Sequence, residues 1–242
     1  MTENRPDMSL AEQYGAALEW WRDAGVDCDF SDVAEAWLKE AEEPAAKEMA
    51  APKKKAEAPP APSISATDLP QDLSAFREWW VSPESRLPAG PGQRIAPRGE
   101  AGAKLLFLVP MPEMDDRDAL LGGPQGIMLA NICKALGIAP DVAYFASAIP
   151  AHMAMPDWDA LGADGLGAAV HHHLALARPE RVLLFGSKLP ALLGHDPAAP
   201  PEGFTQVGDI PALATFAPER LLDHPRQRSR LWQRLLEWTA QK

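Results

Sequence analysis

The sequence predicts an α/β fold, a three-layer α/β/α sandwich around a central, mostly parallel four-stranded sheet. Three observations predict it. Short apolar runs of strand length recur through the second half of the chain, and most are stopped by proline or glycine. Segments of helical period separate these runs, the alternation that builds a parallel sheet covered on both faces. The run Leu105–Val109 has five consecutive apolar residues and ends in Pro110-Met111-Pro112, as expected of a strand buried on both faces. A long loop follows it, and in such sheets ligands sit at the carboxyl ends of the strands.

Composition sets the frame. A chain of 242 residues, 46% hydrophobic, can hold one sizeable core with length to spare. Its 25 prolines cluster, which indicates a linker. Two cysteines, Cys28 and Cys133, make neither a disulfide framework nor a four-thiolate metal site. No signal peptide or apolar run of membrane-spanning length is evident, so the expected location is cytoplasmic, with no membrane contact. The net charge of -11 is uneven: residues 1–50 hold 4 basic and 13 acidic residues, leaving 19 and 21 for the rest. Overall charge therefore does not decide for or against DNA binding by the main domain.

Residues 1–43 read as an acidic helical segment. Ser9 caps a helix reaching about Ala24, with Glu12 at the capping-box position, Tyr14, Leu18 and Trp21 on one face, and Gly25 as the stop. A second helix is expected after Ser31, with Val33, Trp37 and Leu38 as its stripe. Three tryptophans (Trp20, Trp21, Trp37) on two short helices call for a docking surface, either the main domain or a protein partner. Residues 44–63 are an Ala/Pro/Lys linker, extended and without a core; Lys53-Lys54-Lys55 within it reads as a solubility run.

The α/β domain spans 64–242. A helix is expected from Asp68 to about Trp80, then irregular coil from Ser82 to Gly102 and the first strand. A helix over Gln125–Leu136 follows, with Ile127, Met128, Ile132 and Leu136 as buried candidates. Val142–Ile149 reads as the second strand and Gly162–Ala177 as a helix. Arg181–Phe185 is the third strand, Lys188–Leu193 a short helix, Ile210–Phe216 the fourth strand, and Pro225–Thr239 the last helix.

No catalytic constellation emerges from these residues. His171-His172-His173 on a helix point about 100° apart and cannot chelate one ion, so no metal is expected. Ser187 lacks the nucleophile-elbow frame. Gly122-Gly123-Pro124-Gln125-Gly126 matches no phosphate-loop fingerprint. Glu113, Asp115 and Asp116 form an acidic loop after the first strand. Arg220, Arg226 and Arg228 tilt the tail basic, a candidate for phosphate contact though more simply a solvated face.

Five blocks in order nevertheless resemble the uracil-DNA glycosylase superfamily, nearest its family 4 iron–sulfur branch, over roughly Asp68 to Trp238. They are the buried strand and loop, the helix start Gly126-Ile127-Met128-Leu129, and the strand Val142-Ala143-Tyr144-Phe145-Ala146-Ser147. Next come Arg178-Pro179-Glu180-Arg181-Val182-Leu183-Leu184-Phe185-Gly186, then Thr215-Phe216-Ala217-Pro218-Glu219-Arg220-Leu221-Leu222 before a helix containing Trp232. The amino-terminal Ala-Leu-Glu-Trp-Trp-Arg-Asp-Ala-Gly-Val-Asp resembles the leading helix of such bacterial proteins.

The resemblance implies DNA repair, yet the functional positions depart from it. Pro110 stands where the family places its water-positioning carboxylate, and Leu121 replaces the aromatic residue that stacks on the flipped uracil. Ser147 aligns with the uracil-reading Asn, and Ala217 with the His that stabilises the leaving uracil anion. The cluster cysteines are absent, so no cofactor is expected, and Trp79-Trp80 are candidates to fill the cluster's space. Base excision needs these groups. The resemblance therefore implies a degenerate glycosylase kept for DNA-associated binding or as a scaffold. Two alternatives stand beside it: a hydrolase using Glu113, Asp115 and Asp116 (with His224 as a further substitute), and a protein recruiting a partner through its amino-terminal helices.

Overall fold

The computed structural model describes residues 9–23, 64, 69–196, 198–200 and 203–240. The chain divides into two units, Met1–Ala56 and Glu57–Lys242. In the first, α1 (Leu10–Asp23) opens with the expected capping box. Glu12 Oε2 accepts from the Ser9 backbone N–H and hydroxyl, both at 2.8 Å, and Ser9 Oγ accepts from the Glu12 N–H at 3.4 Å. Tyr14, Leu18 and Trp20 are exposed on it. The Trp21 side chain, Gly25, the helix expected after Ser31 and the linker 44–63 lie outside the described residues.

The second unit is built on a five-stranded sheet, one strand more than the sequence predicts. Its strands are β1 (Leu106–Val109), β2 (Tyr144–Ser147), β3 (Val182–Phe185), β4 (Gln206–Val207) and β5 (Ile210–Thr215). Their spatial order is β2-β1-β3-β5-β4, with every pairing parallel except β4 against β5. The added strand is two residues long and pairs Val207 with Ile210 across a Gly208-Asp209 turn. A run of two residues carries no alternation to detect. At the other edge, Arg98 pairs with Phe145 in an isolated antiparallel bridge that shields part of β2.

Successive strand residues point to opposite faces, so the sheet separates two apolar clusters. One contains Leu106, Leu108, Tyr144, Ala146, Val182 and Leu184. It is closed by Phe76 and Trp80 of α2 (Leu73–Val81) and by Leu166, Val170 and Leu174 of α5 (Leu166–Ala177). The other holds Phe107, Val109, Phe145, Leu183 and Phe185, with the Phe107 ring stacked on Phe145 at 5.1 Å. It is closed by Leu129 and Cys133 of α3 (Pro124–Ala135), Leu221 of α7 (Pro218–Asp223), and Leu231 and Leu235 of α8 (Pro225–Ala240). The short helices α4 (Trp158–Ala163) and α6 (Leu189–Leu192) complete the order.

Three expectations need correction. Helix α2 starts at Leu73, because Asp72 caps it by accepting from the N–H groups of Ser74 and Ala75. The helix expected over Gly162–Ala177 is two helices, broken at Gly165. Its φ of +93° is left-handed, and a Cβ there would lie 2.4 Å from the Ile64 carbonyl oxygen. On α3 the buried positions are Gln125, Gly126, Leu129 and Cys133; of the expected ones, Met128, Ile132 and Leu136 are half-buried against the same cluster and Ile127 turns outward. Ile127 is 64% exposed.

Candidate functional site

Both β1 and β3 run into the crevice where the strand order reverses, the place where open parallel sheets bind ligands. Here Pro110 follows β1 and Gly186 follows β3, and a Cβ on Gly186 would come within 3.0 Å of the Pro110 ring. The proline ring therefore occupies the seam between the two strand ends.

The loop after β1 is organised by two carboxylates. Asp116 is buried; its Oδ1 accepts from the Gly122 N–H at 2.8 Å. Its Oδ2 accepts from Glu113 at 2.9 Å and Leu121 at 2.8 Å. Glu113 reaches ten residues forward to α3, whose N-cap Gly123 offers no side chain. Glu113 Oε1 accepts from the N–H groups of Gly123 (3.1 Å) and Gly126 (3.3 Å), and Oε2 from Gln125 (3.4 Å). These are the orphan donors of a helix start, where negative charge is also favoured by the dipole. A Cβ on Gly123 would lie 2.7 Å from Glu113 Oε2, so glycine there admits the carboxylate. Gln125 donates from Nε2 to Glu219 Oε1 at 2.9 Å and ties α3 to α7.

A cleft of about 830 Å³ opens over this loop. Its lining includes six carboxylates (Glu113, Asp115, Asp116, Asp118, Glu219, Asp223) against Arg117 and His152. His152 donates Nδ1–H to the Pro112 carbonyl oxygen at 3.1 Å. Arg117 turns back onto the carbonyl oxygens of Met114 and Asp116. Among the described residues, no group of three or more His, Cys, Asp or Glu has a geometry that could hold a metal ion.

The four positions singled out by resemblance all fall at this edge of the sheet, yet none lines the cleft. Pro110 sits in the seam. Leu121 is 3% exposed, packs into the core and has a left-handed φ of +58°. Ser147 ends β2 with its hydroxyl buried and, among the described residues, without a hydrogen-bond partner. Ala217 precedes α7.

The basic candidates are dispersed. Arg228 donates from Nη1 to the carbonyl oxygens of Leu221 and Leu222, both at 2.6 Å, and so caps the end of α7. Arg220 lies over the Phe216 ring at 4.7 Å, and Arg226 is exposed. His224, the other substitute considered, is exposed at the end of α7.

The three consecutive histidines do diverge. His172 donates Nε2–H to the Pro70 carbonyl oxygen at 2.7 Å. His173 is buried, with Nε2 2.7 Å from the Tyr144 hydroxyl and its ring 4.7 Å from Phe76. His171 instead lines a separate depression with Arg178 and Asp209. Burial, followed by the charge of Arg77 and then His172, pushes His173 down to about 3, so it is neutral. Burial also pushes the Cys133 thiol up to about 11, which removes it as a thiolate nucleophile.

Two roles were missed from sequence: the Glu113 carboxylate as the cap of α3, and the Gln125–Glu219 link. A glycine N-cap with proline after it was the available signal, since such a start leaves donors that some other acceptor must meet. No helix among the described residues is long and apolar enough to cross a membrane. No protein-family model matches the chain, and no curated protein matches it.

Proposed function

We propose that the second unit is a uracil-DNA glycosylase-like three-layer domain that no longer excises bases and serves as a binding or scaffold domain. The observation that carries the reading is the use of the two inner carboxylates of the first loop. Glu113 and Asp116 together accept six backbone N–H groups. An oxygen held in that way is an acceptor already engaged, poorly placed to position or deprotonate a water. The sheet order, the location of Pro110, Ser147 and Ala217 after or at the ends of β1, β2 and β5, and the five sequence blocks support the family likeness.

The cleft's charge further argues for a partner other than nucleic acid in this edge. Phosphates are held by Lys and Arg through counterion release, and a wall with six carboxylates opposes them. The test is a single-turnover excision assay on uracil-containing single- and double-stranded DNA, with enzyme in excess and DNA binding followed alongside. We expect cleavage at the level of a no-enzyme control and no salt-sensitive binding at this edge. Cleavage that disappears in Glu113→Gln would overturn the proposal and make the loop a working site. Loss of one catalytic hydrogen-bond donor already lowers rates by about 10²–10³.

A further inference from the structure

Beside the acidic cleft, residues of α3 and α8, with Leu222 of α7, line a groove of about 590 Å³. Its walls are Ile127, Met128 and Ile132 on one helix and Leu231, Trp232 and Leu235 on the other. Arg228, Leu231, Trp232 and Leu235 stand at i, i+3, i+4 and i+7, so the lining of α8 forms one stripe along the helix. Among the described residues, Arg228 is the only charged member of this lining, and its guanidinium is engaged by the carbonyl oxygens of Leu221 and Leu222. Arg226 and Arg230 of the same helix do not line it.

Groove and cleft adjoin, since Pro124 and Leu222 line both. The surface thus passes from an apolar trough bounded by two helices to a wall carrying the exposed carboxylates Asp115, Asp118, Glu219 and Asp223. Troughs of this kind take the apolar face of an amphipathic helix, with anchors at i, i+3, i+4 and i+7. The carboxylates at one end set the charge of whatever continues past the trough.

We propose that groove and cleft together form a docking surface for a partner protein's amphipathic helix whose apolar stripe runs directly into a lysine- or arginine-rich turn. The apolar stripe covers Ile127, Met128, Ile132 and Trp232, and the basic turn faces Asp118, Glu219 and Asp223. This goes beyond the glycosylase likeness and does not depend on it; base excision and helix docking are read by different assays.

The test uses the full chain and two labelled synthetic peptides followed by fluorescence anisotropy. Both carry leucines at i, i+3, i+4 and i+7; one continues into a lysine-rich turn, the other into a glutamate-rich turn. The lysine peptide is expected to bind at least about tenfold more tightly at low salt, with the advantage shrinking as ionic strength rises. Ile127→Gln, on an exposed side chain, should weaken the lysine peptide about tenfold or more while leaving the circular dichroism spectrum unchanged. Asp118→Asn with Asp223→Asn should reduce the preference between the peptides without abolishing binding. Absence of binding, equal affinity for the two peptides, or an unchanged affinity in Ile127→Gln would each overturn the proposal.

Discussion

The two faces of the sheet handle apolar surface differently. On the α2/α5 face, Phe76, Trp80, Tyr144 and His173 are buried against one another, with ring centroids 4.7–5.7 Å apart for the His173 contacts. On the α3/α8 face the strand side chains are as well covered, but α3, α7 and α8 keep Ile127, Leu222 and Leu236 respectively in contact with solvent. The first face has used its aromatic surface for folding. The second holds part of its surface back, which is how an interaction site differs from a core.

The contrast predicts a graded series of effects. Trp80→Ala removes a fully buried indole and should destabilise the protein by about 3–5 kcal/mol, read as a lowered midpoint in urea unfolding. A loss below about 1 kcal/mol would mean that this face is not the better packed one.

His173 gives an intermediate, pH-dependent effect. Its folded value of about 3 lies below the ordinary 6.5, so the unfolded chain takes up a proton first as pH falls. The contribution is whole above pH 6.5 and is lost as pH falls toward 3, with a slope of up to about 1.4 kcal/mol per pH unit. Urea unfolding of wild type and His173→Gln between pH 7 and 5 should show the slope shrinking in the variant. Parallel slopes would remove the buried histidine as its source.

The smallest effect is expected on the other face. Ile127→Gln should change unfolding free energy by less than about 0.5 kcal/mol, even though it is the substitution that tests peptide docking. A large loss would show that Ile127 belongs to the core after all, and the difference between the faces would narrow.

How much of this could be read from residues alone depended on the range of the interaction. β1, β3 and β5 were legible because apolar runs bounded by Pro110, Gly186 or Pro218 are local signals. The Ser9–Glu12 capping box was legible for the same reason, as were the diverging histidines. The break at Gly165 was not, since it follows from the close approach of Ile64, about a hundred residues away in sequence. The buried face of α3 was placed off-centre, with Ile127 inward and Leu129 and Cys133 missed, because several apolar residues surround the helix and periodicity alone does not choose which of them turns most inward. For the site, the acidic loop was visible as composition, but its use was not. Glu113 and Asp116 look like free carboxylates until the donors that occupy them are placed.

That arrangement has a bearing on how the surface would meet a partner. Asp116 holds the Glu113 backbone, Glu113 holds the first turn of α3, and Gln125 of that turn holds Glu219 on α7. One wall of the groove and the floor of the cleft are therefore joined by an unbroken chain of hydrogen bonds. A helix settling on them would find its two contact regions already in register, and little conformational entropy would have to be surrendered to bring them together. Preorganisation of this kind lets a surface of modest size bind selectively, and in this chain it rests on two acidic side chains whose oxygens are held by backbone N–H groups of their own loop and of the helix it leads into.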